Sequence, residues 1–341
     1  MFSKLIHLLR QIITGGTLLV LVLGFIGQLV RDRTLFFAVL FYLPLILIGV
    51  WAILWDIIHK GKSLPIPFSM SFLGLVAINW MTIGMVGKET PLNGHYSNQK
   101  TLRLLQWNVR WGGKSYRKYW SDSDHRRAWP ILRKAIIQNN ADIIVLNEPP
   151  QDKRLDRLAK QLGEGWHLIR HHHTTGLEED PRKRNTMAIL SHFPLQLDTL
   201  LDFYKGQGIV ATVSYSNTPL RLLVVDGDRN LREVKIPFLA DVKKAVNKFM
   251  PDIVAGDFNA PSHSVGFDGF EQLGTGYRLA SRLSAVWRGS WIGFLPLYDI
   301  DHVWLSQRLK HKQTTFLFSW VTDHRGQYID FVVPTSSNMS L

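Results

Sequence analysis

Three apolar segments without a charged residue lie within the first 87 residues, and they constrain the fold of this chain more than any other feature. They are residues 12–30, 35–55 and 66–87, with charged residues between them. Each is close to the ~20 residues that an α-helix needs to cross a bilayer. One such segment could be a core helix or a signal peptide, but three in succession favour membrane spans. We therefore predict a transmembrane region over residues 1–87, with one helix in each segment.

The lysine and arginine residues near the predicted spans indicate only weakly which side of the membrane the C-terminal domain faces. Lysine and arginine residues flank the predicted spans in almost equal numbers on both sides. The positive-inside rule therefore gives only a slight preference, for a cytoplasmic N-terminus and an extracytoplasmic C-terminal domain. We predict that the protein is integral to a bacterial inner (plasma) membrane, so that the lipid bilayer is one of its binding partners.

The rest of the chain has the composition of a basic soluble domain. Residues 88–100 are polar and rich in turn formers, which predicts a linker before a domain at 101–341. Residues 88–341 contain 34 basic and 25 acidic residues, an excess that favours phosphate-rich or anionic partners. The chain has no cysteine, which excludes disulfides, thiolate zinc sites and cysteine nucleophiles.

Short apolar segments alternate with helical patterns in this domain. Helical spacing is found at 128–136, 152–162 and 238–249, with Pro237 suited to the first turn of the last helix. Strands are predicted at 102–107, 142–146, 186–190, 209–215, 220–225, 252–255, 302–305, 314–318 and 328–333. Several are apolar throughout, as expected when both faces of a sheet are covered. Two sheets with helices on their outer faces fit this order.

Polar side chains recur where the predicted strands end. In IVAGDFN, a turn would account for Gly256, but not for Asp257 and Asn259, which are two apart and can point the same way from extended backbone. Further members of this set are Asn108, Glu148, Asp301, Asp323 and His324. Each alone has an ordinary interpretation as a turn or cap residue. Together they predict a polar pocket at one rim of the fold.

Such a pocket suits a hard divalent cation. Carboxylates packed together repel one another unless a cation or a proton compensates them. Mg²⁺ prefers oxygen ligands and needs only one or two protein carboxylates. A remaining carboxylate could orient or deprotonate water, and a protonated histidine could neutralise charge on phosphorus.

Six segments resemble the endonuclease/exonuclease/phosphatase superfamily of DNase I-like nucleases, inositol polyphosphate phosphatases and sphingomyelinases. They are LLQWNVR, ADIIVLNE, NTMAILSHFPL, DIVAGDFNAPS, YDIDHVWLS and TDHR, spread over residues 102–333. Two features are the most specific for the superfamily. One is GDFN, and the other is the combination of IDH in the fifth segment with DHR in the sixth. The chain is also similar to the subgroup with membrane spans ahead of this domain. The resemblance implies a four-layer α/β sandwich and a Mg²⁺-dependent phosphoesterase, with Mn²⁺ as a substitute.

The resemblance also implies roles for individual residues at a metal site. Asn108 and Glu148 would lie at the metal, with Glu148 as the main ligand. Asp323 would be a further acid of the metal site.

A second group would act on the substrate. Asp257 would orient or activate the attacking water, and Asn259 would help to hold the scissile phosphate. Asp301 would pair with His324 and orient its ring. His324 would contact the phosphate and stabilise the transition state.

The chain departs from the family where a histidine or tyrosine usually contacts the phosphate. Here the segment after LRLLVV is Asp226-Gly227-Asp228-Arg229-Asn230, and an aspartate is a poor substitute beside an anion. Arg229 or Asn230 could supply the contact, and Asn185 is a further substrate-binding candidate. The glutamine that usually precedes the metal glutamate is replaced by Asn147.

Three other segments have ordinary interpretations. We predict that His171-His172-His173 is a solvated loop, since three adjacent histidines do not easily converge on one ion. Arg182-Lys183-Arg184 is predicted to be a solvated basic edge. The aromatic and basic loop with Trp287, Arg288, Trp291 and Phe294 is predicted to pack against the domain. Contact with a lipid surface is the second interpretation, and stacking on bases is a further alternative.

The predicted function is that of a membrane-anchored, Mg²⁺-dependent phosphoesterase that hydrolyses phosphodiester or phosphomonoester bonds by metal-assisted water attack. A lipid-linked phosphate is favoured over nucleic acid, because the spans place the site near a bilayer. The alternatives are an endonuclease or exonuclease acting on DNA, and a catalytically weak membrane protein that binds anionic lipid or partners through this fold. The substrate, the number of metals, the oligomeric state and protein partners stay open.

Overall fold

The computed structural model describes residues 2–90, 96, 99–113, 123–172, 185–216, 218–230 and 233–334. The helices are α1 Phe2–Val30, α2 Leu35–Phe41, α3 Leu45–Ile58, α4 Ser69–Met85, α5 Ser123–Gln138, α6 Asp152–Leu162 and α7 Ile236–Phe249. The strands are β1 Thr101–Asn108, β2 Ile143–Asn147, β3 His167–His172, β4 Asn185–Ser191, β5 Leu195–Phe203, β6 Gly206–Tyr215, β7 Thr218–Gly227, β8 Ile253–Asp257, β9 Tyr277–Leu279, β10 Asp301–Ser306, β11 Lys310–Leu317 and β12 Gly326–Val332.

The chain forms two compact units. One consists of Met1–Val86 with the short segments Asn230–Ile236 and His263–Val265, and the other contains the remaining residues. Within the first unit, the buried carboxylate of Asp32 accepts hydrogen bonds from Ser264 Oγ at 2.5 Å and from the backbone N–H of Val265 at 2.8 Å. The buried charge of Asp32, in the connection after α1, is therefore compensated by hydrogen bonds from residues 264–265, which are distant in the sequence.

The apolar helices of the first unit only partly match the predicted spans. In the described residues, α1 is long and apolar enough over residues 4–30 to cross a membrane. The second predicted span is broken, because α2 and α3 meet at 56°. Pro44, at the break, has no N–H to continue a helix. The third is shorter, at 17 residues in α4. Three straight spans are thus not seen, and the number of membrane crossings stays a prediction.

Close helix packing in this unit depends on glycine. A Cβ atom at Gly49 would lie 2.6 Å from Gly74 O, and one at Gly74 would lie 2.5 Å from Gly49 O. The backbones of α3 and α4 therefore approach where neither helix has a side chain. Small residues at helix contacts are typical of helices that pack in membranes.

The second unit is built from two six-stranded mixed sheets. Sheet A has the order β11-β12-β1-β2-β4-β3, and sheet B has the order β5-β6-β7-β8-β10-β9. One parallel pair lies inside each sheet, β1 with β2 and β7 with β8, and antiparallel strands flank it. Buried aliphatic side chains from both sheets form the central core. α5 and α6 pack on the outer face of sheet A, and α7 packs on that of sheet B. The predicted four-layer sandwich is therefore confirmed.

Apolar strands are explained by burial on both faces. In β1, Leu102 and Leu104 belong to the core between the sheets, whereas Leu105 and Trp107 pack against the helices. Sequence periodicity missed β3, β5 and β9, which are more polar, half-exposed or short.

The glycine of the GDFN segment is not a turn residue, which corrects the sequence interpretation. Gly256 lies inside β8 opposite Val225 of β7. Its φ is 146°, and a Cβ atom there would lie 2.0 Å from Val225 O. Glycine is required because the two strand backbones approach closely.

The histidine segment also differs from the prediction. His171 is buried in β3, with Nδ1 2.9 Å from Thr186 Oγ1, and His172 pairs with Asn185 in the same ladder. The predicted solvated loop is therefore wrong for these two residues, because their backbones pair with β4 at the edge of sheet A. His173 and the basic segment 182–184 lie outside the described residues.

The aromatic and basic loop before β10 mostly packs, as predicted. Arg288 is buried, with Nη1 3.1 Å from Ser262 Oγ and 3.4 Å from Asp299 Oδ2. Trp291 pairs through its backbone with Tyr298. Phe294 differs, because 58% of it is exposed.

The start of the predicted linker is held by backbone hydrogen bonds. The N–H of Lys88 donates to Arg282 O at 2.9 Å, and the N–H of Thr90 donates to Leu283 O at 3.1 Å. Residues 88–90 are therefore attached to the second unit, and 91–95 lie outside the described residues.

A buried histidine in β11 predicts a loss of stability in acid. Burial, assisted by the charge of Arg278, lowers the pKa of His311 to about 4. Between pH ~6.5 and ~4 the unfolded chain binds a proton that folded His311 does not, so stability falls as pH falls. Up to about 3 kcal/mol is lost at pH 4. Replacing His311 with glutamine should flatten this dependence, measured by urea unfolding in detergent between pH 7 and 4.

The matched control for this experiment is His167→Gln, at an exposed histidine of β3. That variant should keep the pH slope of the wild-type protein. Equal slopes for the wild type and His311→Gln would contradict the prediction.

Candidate active site

Strand register brings the polar strand ends to one edge of the sandwich. In sheet A, Asn108 at the end of β1 is opposite Asn147 at the end of β2, and Glu148 follows. In sheet B, Asp226 of β7 is opposite Asp257 of β8. β10 runs antiparallel to β8, so Asp301 at its start is also opposite Asp257. The parallel pairs end, and β10 begins, at this polar edge.

A buried aspartate orients the histidine of the site. Asp301 Oδ2 is 2.7 Å from His324 Nδ1, and Asp301 Oδ1 accepts from Gln106 Nε2 at 3.2 Å. Gln106 Oε1 accepts in turn from Gln327 Nε2 at 2.9 Å. Because Nδ1 is hydrogen-bonded to Asp301, the other ring nitrogen of His324, Nε2, faces Asp257 and lies 3.9 Å from its Oδ2.

His324 carries a proton at neutral pH. Burial by itself would lower its pKa, but the charges of Asp301 and Asp257 and the hydrogen bond to Asp301 together raise the pKa to about 10. Both ring nitrogens are therefore donors, and Nε2–H is the one that faces Asp257.

Asp257 is almost completely buried, with 1% exposed. Its Oδ1 accepts from the N–H of Asn259 at 2.9 Å, and its Oδ2 accepts from Asn108 Nδ2 at 2.9 Å. Burial and the charge of Asp301 raise the pKa of Asp257 to about 7, although His324 opposes the shift. The carboxylate is held rigidly and can exchange a proton near neutral pH.

Three site residues have strained backbone conformations. Arg110, Glu148 and Asn259 have φ of 45°, 44° and 48°. Asn259 also donates from Nδ2 to Gly227 O at 2.9 Å. Left-handed conformations at residues other than glycine are costly, and they cluster at functional sites.

Among the described residues, the site holds more carboxylates than cationic side chains. Burial and the charge of Asp323 raise the pKa of Glu148 to about 7, against the opposing charges of His324 and Arg229. Burial and the charges of Asp257 and Glu148 raise the pKa of Asp226 well above its ordinary value. This crowding of acids is what a cation would relieve.

Asp323 has a partner that sequence analysis missed. Arg110 Nη1 is 3.3 Å from Asp323 Oδ2, and the backbone N–H of Arg110 donates to Asn108 Oδ1 at 3.0 Å. Arg110 is the last residue of LLQWNVR, so the signal was present in the segment quoted for the family.

The acid and histidine atoms that lie closest together are not the best metal ligands. Ligand atoms of Asp257, Asp301 and His324 lie within 4.8 Å of one another. However, His324 is protonated and its Nδ1 is bonded to Asp301, so it has no lone pair for a cation. The oxygen atoms of Glu148 and its carboxylate neighbours fit a hard divalent cation better.

The structure brings most of the predicted residues together. Five belong to the hydrogen-bonded groups described above, namely Asn108, Asp257, Asn259, Asp301 and His324. Glu148 is hydrogen-bonded to Asn108, Asp323 is paired with Arg110, and Arg229 acts on Glu148 through its charge. Asn230 belongs to the first compact unit and donates to Glu233 Oε1 at 3.0 Å. The side chain of Asn185 lies outside the described residues. Gln106 and Arg110 are the site residues that sequence analysis did not single out.

The fold and the site together define a phosphoester hydrolase. The chain belongs to the Endonuclease/Exonuclease/phosphatase family, whose model matches residues 105–340. No curated protein sequence matches the chain.

Solved structures share the fold at low sequence identity. A family protein from Bacteroides thetaiotaomicron has a TM-score of 0.53 and 14% identity, over 70% of this chain and 100% of that one. The mannosyl-6-phosphatase of the same organism has a TM-score of 0.51 and 15% identity, over 68% and 99%. The human Nocturnin catalytic domain, with bound sulfate, has a TM-score of 0.52 and 16% identity, over 69% and 95%.

Proposed function

We propose that this protein is a membrane-anchored, Mg²⁺-dependent phosphoesterase that acts by metal-assisted water attack, with a lipid-linked phosphate as the favoured substrate. The observation that carries the proposal is the buried Asp301–His324 pair facing Asp257, in a site where burial and neighbouring acids raise the pKa of Glu148 to about 7. This arrangement provides a cationic donor and a carboxylate base within reach of one phosphate group.

Glu148, together with Asn108, would hold the metal ion. The raised pKa of Glu148 reflects burial among acids, which is the environment that a bound cation would stabilise. Oxygen donors suit Mg²⁺, and Mn²⁺ would be a substitute. When bound, the ion would polarise a phosphoryl oxygen and stabilise the leaving group. Asp323 would contribute as an acid at the margin of this site, held by Arg110.

Asp257 would orient the attacking water and accept its proton. Its pKa near 7 is suited to a general base that works at neutral pH. Asn108 and the backbone N–H of Asn259 each bind one carboxylate oxygen, so the group cannot rotate away. Asn259 would help to hold the scissile phosphate, with its amide oriented by Gly227.

His324 would donate from Nε2 to a phosphate oxygen and neutralise the charge that builds there. A charged, preorganised donor stabilises the transition state more than a flexible one, because no reorganisation is needed during the reaction. Asp301 would act through His324, by keeping the ring oriented and protonated. Arg229, whose charge acts on Glu148, is the proposed substitute for the phosphate contact that other family members make.

Exposed apolar side chains in the loop that carries Asp323 and His324 support a substrate with an apolar part. Trp320 is 69% exposed, and its ring packs edge-on against Phe318 at 4.7 Å. Both precede Asp323 and His324 in the same loop. Apolar groups next to a phosphate site suit a lipid-linked phosphate, and α1 is a candidate anchor in the same chain. Aromatic side chains can also stack on bases, so a nuclease is the second candidate.

A substrate panel tests the proposal. The full-length protein in detergent should hydrolyse a lipid-linked phosphate and a generic phosphodiester with Mg²⁺, regain activity with Mn²⁺, and stop with chelator. Plasmid nicking should be weaker and should fall steeply with salt, because counterion release dominates binding to duplex DNA. Cleavage of plasmid alone would rule out the lipid preference. No turnover on any phosphoester would favour a catalytically weak binding protein.

The proposed topology has its own test. An extracytoplasmic catalytic domain in a bacterial inner membrane predicts that a C-terminal tag is labelled from outside in cells with a permeabilised outer layer. Labelling only after the inner membrane is opened would reverse the orientation.

A further inference from the structure

Asp226 is placed at the centre of the polar edge by strand pairing. β7 and β8 are parallel, and Asp226 is directly opposite Asp257 in their register. Side chains at paired positions of neighbouring strands project from the same face of a sheet. Asp226 and Asp257 therefore point the same way from sheet B.

A buried amide holds the Asp226 carboxylate in place. Asn147 is fully buried and donates from Nδ2 to Val225 O at 2.8 Å and to Asp226 Oδ1 at 3.4 Å. Its own Oδ1 accepts from Gln106 Nε2 at 3.3 Å, and Gln106 also binds Asp301. Asp226 is thus connected to the same hydrogen-bond network that supports the Asp301–His324 pair.

Asp226 adds a further carboxyl group to the acids of the site. The charges of Asp257 and Glu148 both act on Asp226 and disfavour its ionised form. Two cationic groups act on this group of acids: His324 is paired with Asp301, and Arg229 is exposed. An anionic phosphate would be repelled from such a group unless a cation lay between them.

We propose that Asp226 is a further carboxylate for the divalent cation of this site and raises its affinity for that cation. The inference rests on the proposed function, in which Glu148 and Asn108 hold the ion. Asp226 lies on the opposite sheet from Glu148, so the two acids would hold the ion from both sheets of the sandwich. Hard cations favour such sets of charged oxygen donors.

The test is a calorimetric titration of the full-length protein in detergent with Mg²⁺ alone and with Mn²⁺ alone. Asp226→Asn keeps the size of the side chain and a hydrogen-bond acceptor for Asn147, but removes the charge. We expect its affinity for either ion to fall at least about tenfold, the scale seen when groups that support a metal site are removed. Asp228→Asn, two residues further along, is the matched control and should bind within about twofold of the wild type.

Thermal unfolding gives a second readout that does not depend on turnover. Without metal, Asp226→Asn should unfold at the same temperature as the wild type or higher, because repulsion among the acids is relieved. With saturating Mg²⁺, it should gain less stability than the wild type, since the gain follows the binding affinity.

The outcomes separate this inference from the proposed function. Wild-type affinity in Asp226→Asn, with an equal Mg²⁺-induced rise in unfolding temperature, would overturn the role of Asp226 and leave the function standing. Failure of the wild-type protein itself to bind Mg²⁺ or Mn²⁺ would overturn both. An equal loss in Asp226→Asn and Asp228→Asn would show a general charge effect and would also overturn the inference.

Discussion

Replacement of His324 with alanine is expected to reduce the rate of phosphoester hydrolysis by about two to three orders of magnitude. The imidazolium is buried, bonded to Asp301 at 2.7 Å and directed at the space beside Asp257. Alanine would remove the charged donor and leave Asp301 without this partner. The measurement is kcat/KM for a generic phosphodiester at saturating Mg²⁺, with circular dichroism to show that the variant is folded.

The control for this prediction is His167→Ala, an exposed histidine of β3 outside the site. Its rate should equal that of the wild type. Asp257→Ala should lose activity to a similar degree, since it would remove the group proposed to orient and deprotonate water. An unchanged rate in His324→Ala or in Asp257→Ala would show that this edge of the sandwich is not where hydrolysis occurs.

Gly256→Ala is expected to cost about 4 kcal/mol of folding stability or more. The added Cβ atom would lie 2.0 Å from Val225 O, a backbone atom in the middle of sheet B. Neither strand can move without disturbing the register that aligns Asp226 with Asp257. The φ of 146° is also unfavourable for alanine. Urea unfolding in detergent measures the loss.

Gly163→Ala separates the two causes of this loss. Gly163 has a φ of 124°, but a Cβ atom there would have nothing within 4 Å. That variant should therefore show the conformational cost without the steric clash, about 1–3 kcal/mol. If Gly163→Ala and Gly256→Ala were equally destabilising, the close approach of β7 to β8 would not be the reason for glycine in this segment.

Local patterns predicted most of the strands and helices of the second unit. The helix at 152–162 and the strand before Asp257 were evident, because burial on one or both faces leaves a periodic or continuous apolar signal. β5 and β9 were missed, since an edge strand that is half exposed and a strand of three residues leave little signal. Periodicity also could not show that Pro44 divides the second apolar segment into two helices at 56°.

The site was predictable as a set of residue types, and its contacts were not. Asp301 and His324 are 23 residues apart in the sequence and yet share a hydrogen bond. Asp323, the residue next to His324, forms an ion pair with Arg110 instead. Gln106 and Asn147 connect the two sheets, through Asp301 and Val225, and these contacts were not evident although both residues lie in segments that resemble the family.

The sequence by itself determined the layers of the sandwich and the residues from which a phosphate site could be made, because apolar spacing and strand-end chemistry are local properties. Only the tertiary structure decided which acids face one another, which histidine nitrogen is used and why Gly256 is glycine. Those features depend on strand register and on desolvation between the two sheets, and both arise only when segments far apart in the chain are packed together.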